Sequence, residues 1–206
     1  MKKTLLLAGV ATVLFTMNVN AVDLNPYIGA KLRYIEMSSD VKLGDTFAVD
    51  DNIMGGSLAI GTSFKVNKGT VRTELEYNKN QSNEKTYAMR IAGVSNYFNG
   101  KFEIETQSVM LNAYYDFETE CKLRPYIGAG LGFAKNKGSL TAAFMTGSID
   151  NSAFAWQVGA GTGYKLTDNI TVDAGYRYVD YGDISGYGVD VETSAHELYI
   201  GARYAF

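Results

Sequence analysis

The chain has a single histidine, His196, two residues after Ser194 and four after Glu192. Hydroxyl, imidazole and carboxylate are the types that make a nucleophile, its base and the group orienting that base, and their chemistry would be acyl transfer. The spacing argues against it. In an extended segment, steps of two spread the three side chains along about 13 Å of one face, whereas a working triad needs each group within hydrogen-bond reach of the next. No catalytic role is expected, and His196 reads as a side chain at an interface.

Other reactive types are as sparse. Cys121 is the only cysteine, so an oxidising compartment finds no intrachain disulfide to make, and the residue reads as part of a turn. Asp40, Asp45, Asp50 and Asp51, and further on Asp183 and Asp190, would suit a divalent cation by type. Their spacing fits no calcium loop, and no histidine or cysteine cluster favours zinc. Neither a metal nor a cofactor is expected. Formal charge is −3, or −5 once a segment carrying Lys2 and Lys3 is removed, which offers no footprint for nucleic acid.

The most informative charges are Lys31, Arg33, Arg72, Glu74, Glu76, Asp116, Asp173, Arg177, Glu197 and Arg203, with Gln157 among them. Each sits inside a segment whose alternate positions are apolar. Period-two alternation marks strands with unlike faces, and eight such segments lie near 24–35, 53–65, 70–78, 102–117, 124–134, 152–165, 170–180 and 192–206. The connections 66–69, 118–123 and 167–169 are short and read as hairpin turns. The intervening ones, 36–52, 78–101, 135–151 and 181–191, are long and polar. Within 78–101, the stretch 87–98 is unusually apolar for a solvated loop, and reads best as strands three and four continuing outward as a paired hairpin; a contact patch is the other reading.

Upstream, Met1-Lys2-Lys3, an apolar run over 5–17 and the small-residue pattern Val19-Asn20-Ala21 predict a secretory signal peptide over 1–21. That run is too short for a spanning helix, which needs roughly 20 residues. The mature part, 22–206, is either soluble or crosses a membrane as strands. With Tyr 15, Phe 10, Gly 22 and only two prolines, it is rich in strand formers.

The faces decide between the two. One face collects Ile28, Leu32, Leu58, Ile60, Val109, Leu111, Ile127, Leu131, Val158, Leu198 and Ile200. Its aromatics sort by strand polarity into two girdles. Tyr34, Tyr77, Phe133, Phe154, Trp156, Tyr176 and Tyr178 mark one end, and Phe64, Tyr115, Phe117, Tyr164, Tyr204 and Phe206 the other. Amphipathic rings favour a membrane–water boundary, and an outward apolar band between girdles is what a lipid-spanning barrel requires. A soluble lipocalin-like barrel would turn its apolar face inward and leave the girdles unexplained. The expectation is therefore an all-β, eight-stranded antiparallel up-and-down transmembrane barrel, with short turns facing the periplasm and long loops facing outside. Five cations then meet five anions in a narrow interior, which suggests an internal paired network. Gly128, Gly130 and Gly132 with Gly159, Gly161 and Gly163 leave one wall bare, with room for water or for arginines from across the lumen.

Four strings carry a resemblance. They are the residues 124–132, RPYIGAGLG; 156–161, WQVGAG; 173–180, DAGYRYVD; and the ending 198–206, LYIGARYAF. In this order they resemble the opacity-type surface antigens, small OmpA-like outer-membrane barrels, over essentially the whole mature chain. The resemblance implies that Leu198, Ile200, Tyr204 and Phe206 form the terminal signal read by the barrel assembly machinery; with the chain stopping at Phe206, the peptidoglycan-binding domain of some OmpA-like proteins is not expected. It also implies outer-membrane lipid and lipopolysaccharide as surroundings, and a host or cell-surface ligand reached through the loops. The expected function is a surface-exposed structural protein or antigen. The alternative is a narrow pore for ions or small solutes, with the internal charges setting selectivity. A weaker likeness between 25–32 and 124–131 hints at two related halves.

Overall fold

The computed structural model describes the backbone of residues 23–43, 45–81, 83–90, 97–142, 145–186 and 189–206, and the side-chain surroundings of 23–38, 52–81, 105–135, 152–182 and 193–206. The expected signal peptide, 1–21, lies outside them. The elements are strands throughout: β1 (Asn25–Leu43), β2 (Asp45–Val66), β3 (Gly69–Asn80), β4 (Asn83–Arg90), β5 (Tyr97–Phe117), β6 (Leu123–Ala142), β7 (Met145–Lys165), β8 (Ile170–Gly186) and β9 (Val189–Ala205). β3 and β4 are two lengths of one stave, since both pair antiparallel with β5, over its 107–117 and 97–104 parts respectively. Nine segments therefore make eight staves. Their order is β3-β2-β1-β9-β8-β7-β6-β5, and the β3–β5 pairing closes the circle.

The register gives the stagger. From Tyr176 the cross-strand partners run through Ala160, Ile127, Tyr115 and Val71 to Phe64 on β2. In the other direction they run through Leu198 and Tyr34 to Met54 on the same strand. The row thus returns to β2 ten residues from where it left. That shear tilts the staves by about 40°, within the range of small membrane barrels.

Alternation then does what the pattern requires. Leu58 and Ile60 are 66% and 60% exposed, whereas Arg33 and Glu76 are 0% exposed. Apolar outside and charged inside is the reverse of a soluble core, and it is stable only where lipid covers the outer face.

The long polar connections are corrected by the structure. β1 and β2 stay paired from Glu36↔Asn52 out to Leu43↔Asp45, β6 and β7 out to Ala142↔Met145, and β8 and β9 out to Gly186↔Val189. The ladder persists because its bonds join backbone to backbone and need no apolar face. The outer lengths show no period-two alternation in the sequence, so they read as loops. The apolar stretch in the second connection continues as a paired hairpin, as expected, with Asn83↔Ile104 to Arg90↔Tyr97 in register, while 91–96 lie outside the described residues. One irregularity interrupts β8 and β9 between Asp180 and Asp183, where Gly182 adopts φ 75° and donates its N–H to Asp180 Oδ1 at 2.8 Å. A glycine relieves the left-handed conformation that such a bulge imposes.

Candidate functional site

Inward positions of the eight staves fill the lumen in three layers. The lowest, at the end of the short turns, holds two ion pairs. Arg72 Nε donates to both Asp116 oxygens at 2.9 and 2.8 Å, and Arg203 donates to both Asp173 oxygens at 2.6 and 2.8 Å. The Arg203–Asp173 pair is two-toothed, with parallel bonds from Nε and Nη2, whereas Arg72 shares its Nε between both Asp116 oxygens.

Above it lies the main network. Lys31 Nζ is 2.7 Å from Glu74 Oε1 and 2.7 Å from Glu76 Oε2. Arg177 spans Glu76 at 2.9 Å and Glu197 at 2.6 Å, and Arg33 completes the chain with Glu197 at 3.0 Å. Neutral donors take up remaining carboxylate lone pairs: Tyr27 and Tyr114 on Glu74, Asn112 on both Glu74 and Glu76, and Tyr181 on Glu197. Charges removed from water cost several kcal/mol each unless they are paired and their remaining sites bonded; the carboxylates meet that condition, whereas Arg33 Nε is buried without a hydrogen-bond partner among the described residues.

The uppermost layer is apolar. Ile35, Met110, Ala134, Ala155, Val179, Tyr181 and Ala195 form a buried cluster, with Met37 and Ile53 packed against it. Tyr181 joins the layers, its ring in the cap and its hydroxyl donated down to Glu197 at 2.7 Å. Charge alone would not have revealed this cap; the apolar residues at inward parity beyond Arg33 and Arg177 were its signal.

The structure places Lys31, Arg33, Arg72, Glu74, Glu76, Asp116, Asp173, Arg177, Glu197 and Arg203 together inside, with Gln157 donating to Asn112 at 2.6 Å. The glycine wall is not left open for water: Cβ atoms at Gly128 and Gly161 would meet Tyr114 and Tyr126, those at Gly130 and Gly132 would meet Asn112 and Met110, and those at Gly159 and Gly163 would meet Arg177 and Arg203. Each of four lumen tyrosines stands directly across from a glycine: Tyr27↔Gly61, Tyr114↔Gly128, Tyr126↔Gly161 and Tyr199↔Gly175. A Cβ on Gly61 would lie 2.6 Å from Tyr27 Cζ, and one on Gly161 would lie 2.6 Å from Tyr126 Cζ. The rings lie over the bare strands, and Arg72 stacks on two of them, 4.5 Å from the Tyr114 centroid and 5.0 Å from that of Tyr126. Sequence reasoning followed the outward aromatics to the girdles and named none of these inward tyrosines. Their inward parity, shared with Lys31 and Arg203, was the available signal.

On the outer face, His196 packs against the rings of Tyr176 and Tyr178, and its Nδ1 shares a hydrogen bond with the Tyr176 hydroxyl. Ser194 is across from Asp180 and Ser38 in register, and the side chain of Glu192 lies outside the described residues. So do the side chains of Asp40, Asp45, Asp50, Asp51, Asp183 and Asp190. Leu198, Ile200, Tyr204 and Phe206 all point outward and are exposed, Tyr204 and Phe206 meeting edge to face at 5.4 Å. Cys121 is exposed in the turn between β5 and β6.

Over residues 5–206 the sequence matches the family described as outer membrane protein beta-barrel domain. It is 31% identical to outer membrane protein PagN of Salmonella typhimurium over 175 residues, covering 75% of this chain and 73% of that protein. It is 28% identical to opacity protein opA67 of Neisseria gonorrhoeae over 229 residues, covering 88% of this chain and 97% of that one. Among solved structures, Neisserial surface protein A aligns with a TM-score of 0.56 at 24% identity, covering 88% of this chain and 97% of that chain; at that identity the likeness is one of fold.

Proposed function

We propose, because this chain belongs to the family of outer membrane protein β-barrel domains, that it is a surface scaffold whose four outward hairpins contact a host, a neighbouring cell or a phage. Its place is the bacterial outer membrane, as for its relatives. The observation that carries the proposal is the filled lumen. Five cations are paired with five anions beneath an apolar cap, so solute passage is not what the interior is built for. The ladders that continue past the hydrocarbon instead hold the hairpin tips clear of the membrane. A membrane crossing needs about 9–11 residues per strand, and β1, β2, β6 and β7 have 19, 22, 20 and 21.

No catalytic step belongs to this reading, since the His196 imidazole is engaged by Tyr176. Within the same proposal, Leu198, Ile200, Tyr204 and Phe206 present the outward strip by which the assembly machinery takes up the last strand, and lipopolysaccharide surrounds the outer girdle. Two measurements test it. Protease applied to intact cells should cut at the hairpin tips and spare the short turns; cleavage at 118–123 would reverse the orientation. Refolded protein in a planar bilayer should give no stable conductance steps, and reproducible steps whose ion preference moves in an Arg177→Met, Arg203→Met double variant would make it a pore.

A further inference from the structure

Among the described glycines of the transmembrane wall, Gly56 stands apart. Gly69 also faces outward, but its Cβ would lie 2.9 Å from Tyr115 Cζ; outside the bulge at Gly182 the rest face the lumen, where a Cβ would meet a side chain or a neighbouring backbone at 3.4 Å or closer, as at Gly55, Gly161 and Gly201. Gly56 faces outward, and the nearest atom to its Cβ position is Lys31 O at 3.9 Å. Packing inside the barrel therefore gives no reason for a glycine there. What its bareness creates is a groove of about 620 Å³ on the lipid-facing wall, walled by Leu32 and Leu58 and reaching from Ala30 to Met54, Tyr77 and Lys79. That volume lies within the ~300–1,000 Å³ of small-ligand sites.

The outer end of the groove is polar and carries one cation, Lys79. Lys79 Nζ is 3.0 Å from Glu105 Oε1 with its side chain still 59% exposed. Gln107 Nε2 donates to the same carboxylate oxygen at 2.9 Å, and Gln107 Oε1 accepts from the Tyr77 hydroxyl at 3.1 Å. Lys135 stands across from Gln107 on β6. An apolar channel on the membrane face, with the half-exposed Lys79 ammonium at its headgroup-level end, matches an acylated, phosphorylated lipid whose chain runs down the wall.

We infer that the groove over Gly56 seats one acyl chain of a lipid A-type glycolipid of the outer leaflet, with a phosphate of the same molecule at Lys79. The inference rests on the orientation in the functional proposal, which puts the outer ends of β1, β2 and β3 in that leaflet. Bulk hydrophobicity does not drive the chain in, because neighbouring tails are equally apolar. Selectivity comes from dispersion contacts in a concave surface and from charge at its rim.

Native mass spectrometry of the detergent-purified full chain, titrated with bis-phosphorylated lipid A or with phosphatidylglycerol, tests this. The parent should carry one lipid A adduct. Gly56→Leu, which fills the groove without touching the lumen, should lose it. Lys79→Gln should weaken it about fivefold, the contribution of one cation at an anionic membrane surface. Ala160→Leu, exposed on the opposite wall, should leave it unchanged. The heat-dependent gel shift of a folded barrel checks each variant, and Lys79→Gln stands in should Gly56→Leu fail to fold. Equal adducts on parent and Gly56→Leu would overturn the inference, as would phosphatidylglycerol binding in place of lipid A, or a dimer of the parent that Gly56→Leu dissolves. Protease cleavage at the short turns of intact cells would overturn the orientation and this inference together; an unchanged adduct in a correctly oriented barrel would overturn the groove alone.

Discussion

Arg177 on β8 and Glu76 on β3, 101 residues apart in the chain, meet across the lumen with Nη1 donating to Oε1 at 2.9 Å. The same guanidinium holds Glu197 at 2.6 Å and Asn78 at 3.2 Å, tying two neighbouring staves to a third on the opposite wall. Arg177→Met would leave Glu76 with Lys31 and Glu197 with Arg33, each short of one charged partner. A buried pair broken on one side costs about 3–5 kcal/mol, so the urea midpoint of the variant in lipid vesicles should fall well below that of the parent. Arg124→Met, which removes an exposed pair with Glu118 at 3.9 Å, should cost at most about 1 kcal/mol. Equal midpoints for parent and Arg177→Met would refute the role assigned to the network.

The glycines opposite the tyrosines should be intolerant of even one carbon. A Cβ on Gly175 would lie 2.5 Å from Tyr199 Cζ and hydroxyl, and that hydroxyl is 2.9 Å from the Tyr126 hydroxyl, so the ring cannot simply swing away. Gly175→Ala should destabilise by about 1–3 kcal/mol, the cost of overpacking a filled interior. Gly56→Ala, whose Cβ has open space, should stay within about 0.5 kcal/mol of the parent. Thermal unfolding followed by the gel shift separates the two, and matching midpoints would mean the rings move aside freely.

The barrel was legible because its instruction is repeated. Eight segments alternate, and aromatics such as Tyr34 and Tyr204 close opposite ends of the same apolar face. The inward charges followed from parity alone, and the four family-like strings pointed to the relatives that the whole chain matches. Three things were hidden. The outer lengths of β1, β2, β6 and β7 carry no alternation, and their pairing is a backbone ladder that needs none. Tyr114 and Tyr126 lie inward, although a boundary is the commoner place for such rings, and only pairing register reveals the glycines that make room for them. The cap residues Ile35 and Val179 read as ordinary strand formers until closure brings them together.

Cys121 offers a test of topology and of local chemistry at once. Its thiol is held below the ordinary cysteine value, chiefly by the Thr119 hydroxyl and then by the backbone around Leu123. A lowered value means the thiolate is populated at lower pH, so alkylation by a maleimide should rise earlier on the pH axis than for a free thiol. Thr119→Val should move that rise to higher pH. On intact cells an impermeant maleimide should not label Cys121, whereas after osmotic opening of the outer membrane it should. Labelling of intact cells would place the β5–β6 turn outside.

Phe206 distinguishes stability from assembly. It is 70% exposed and meets lipid on one side and Tyr204 on the other, so Phe206→Ala removes contacts that lipid tails can partly replace. Refolded in vesicles, the variant should unfold within about 1 kcal/mol of the parent, as exposed substitutions generally do. In cells, if the outward strip on β9 is what the assembly machinery reads, the same variant should reach the outer membrane in much lower yield and be found among periplasmic degradation products. The comparison is internal to one substitution. A parallel loss of refolded stability and cellular yield would assign Phe206 to packing, while unchanged yield would remove the strip from the assembly step altogether.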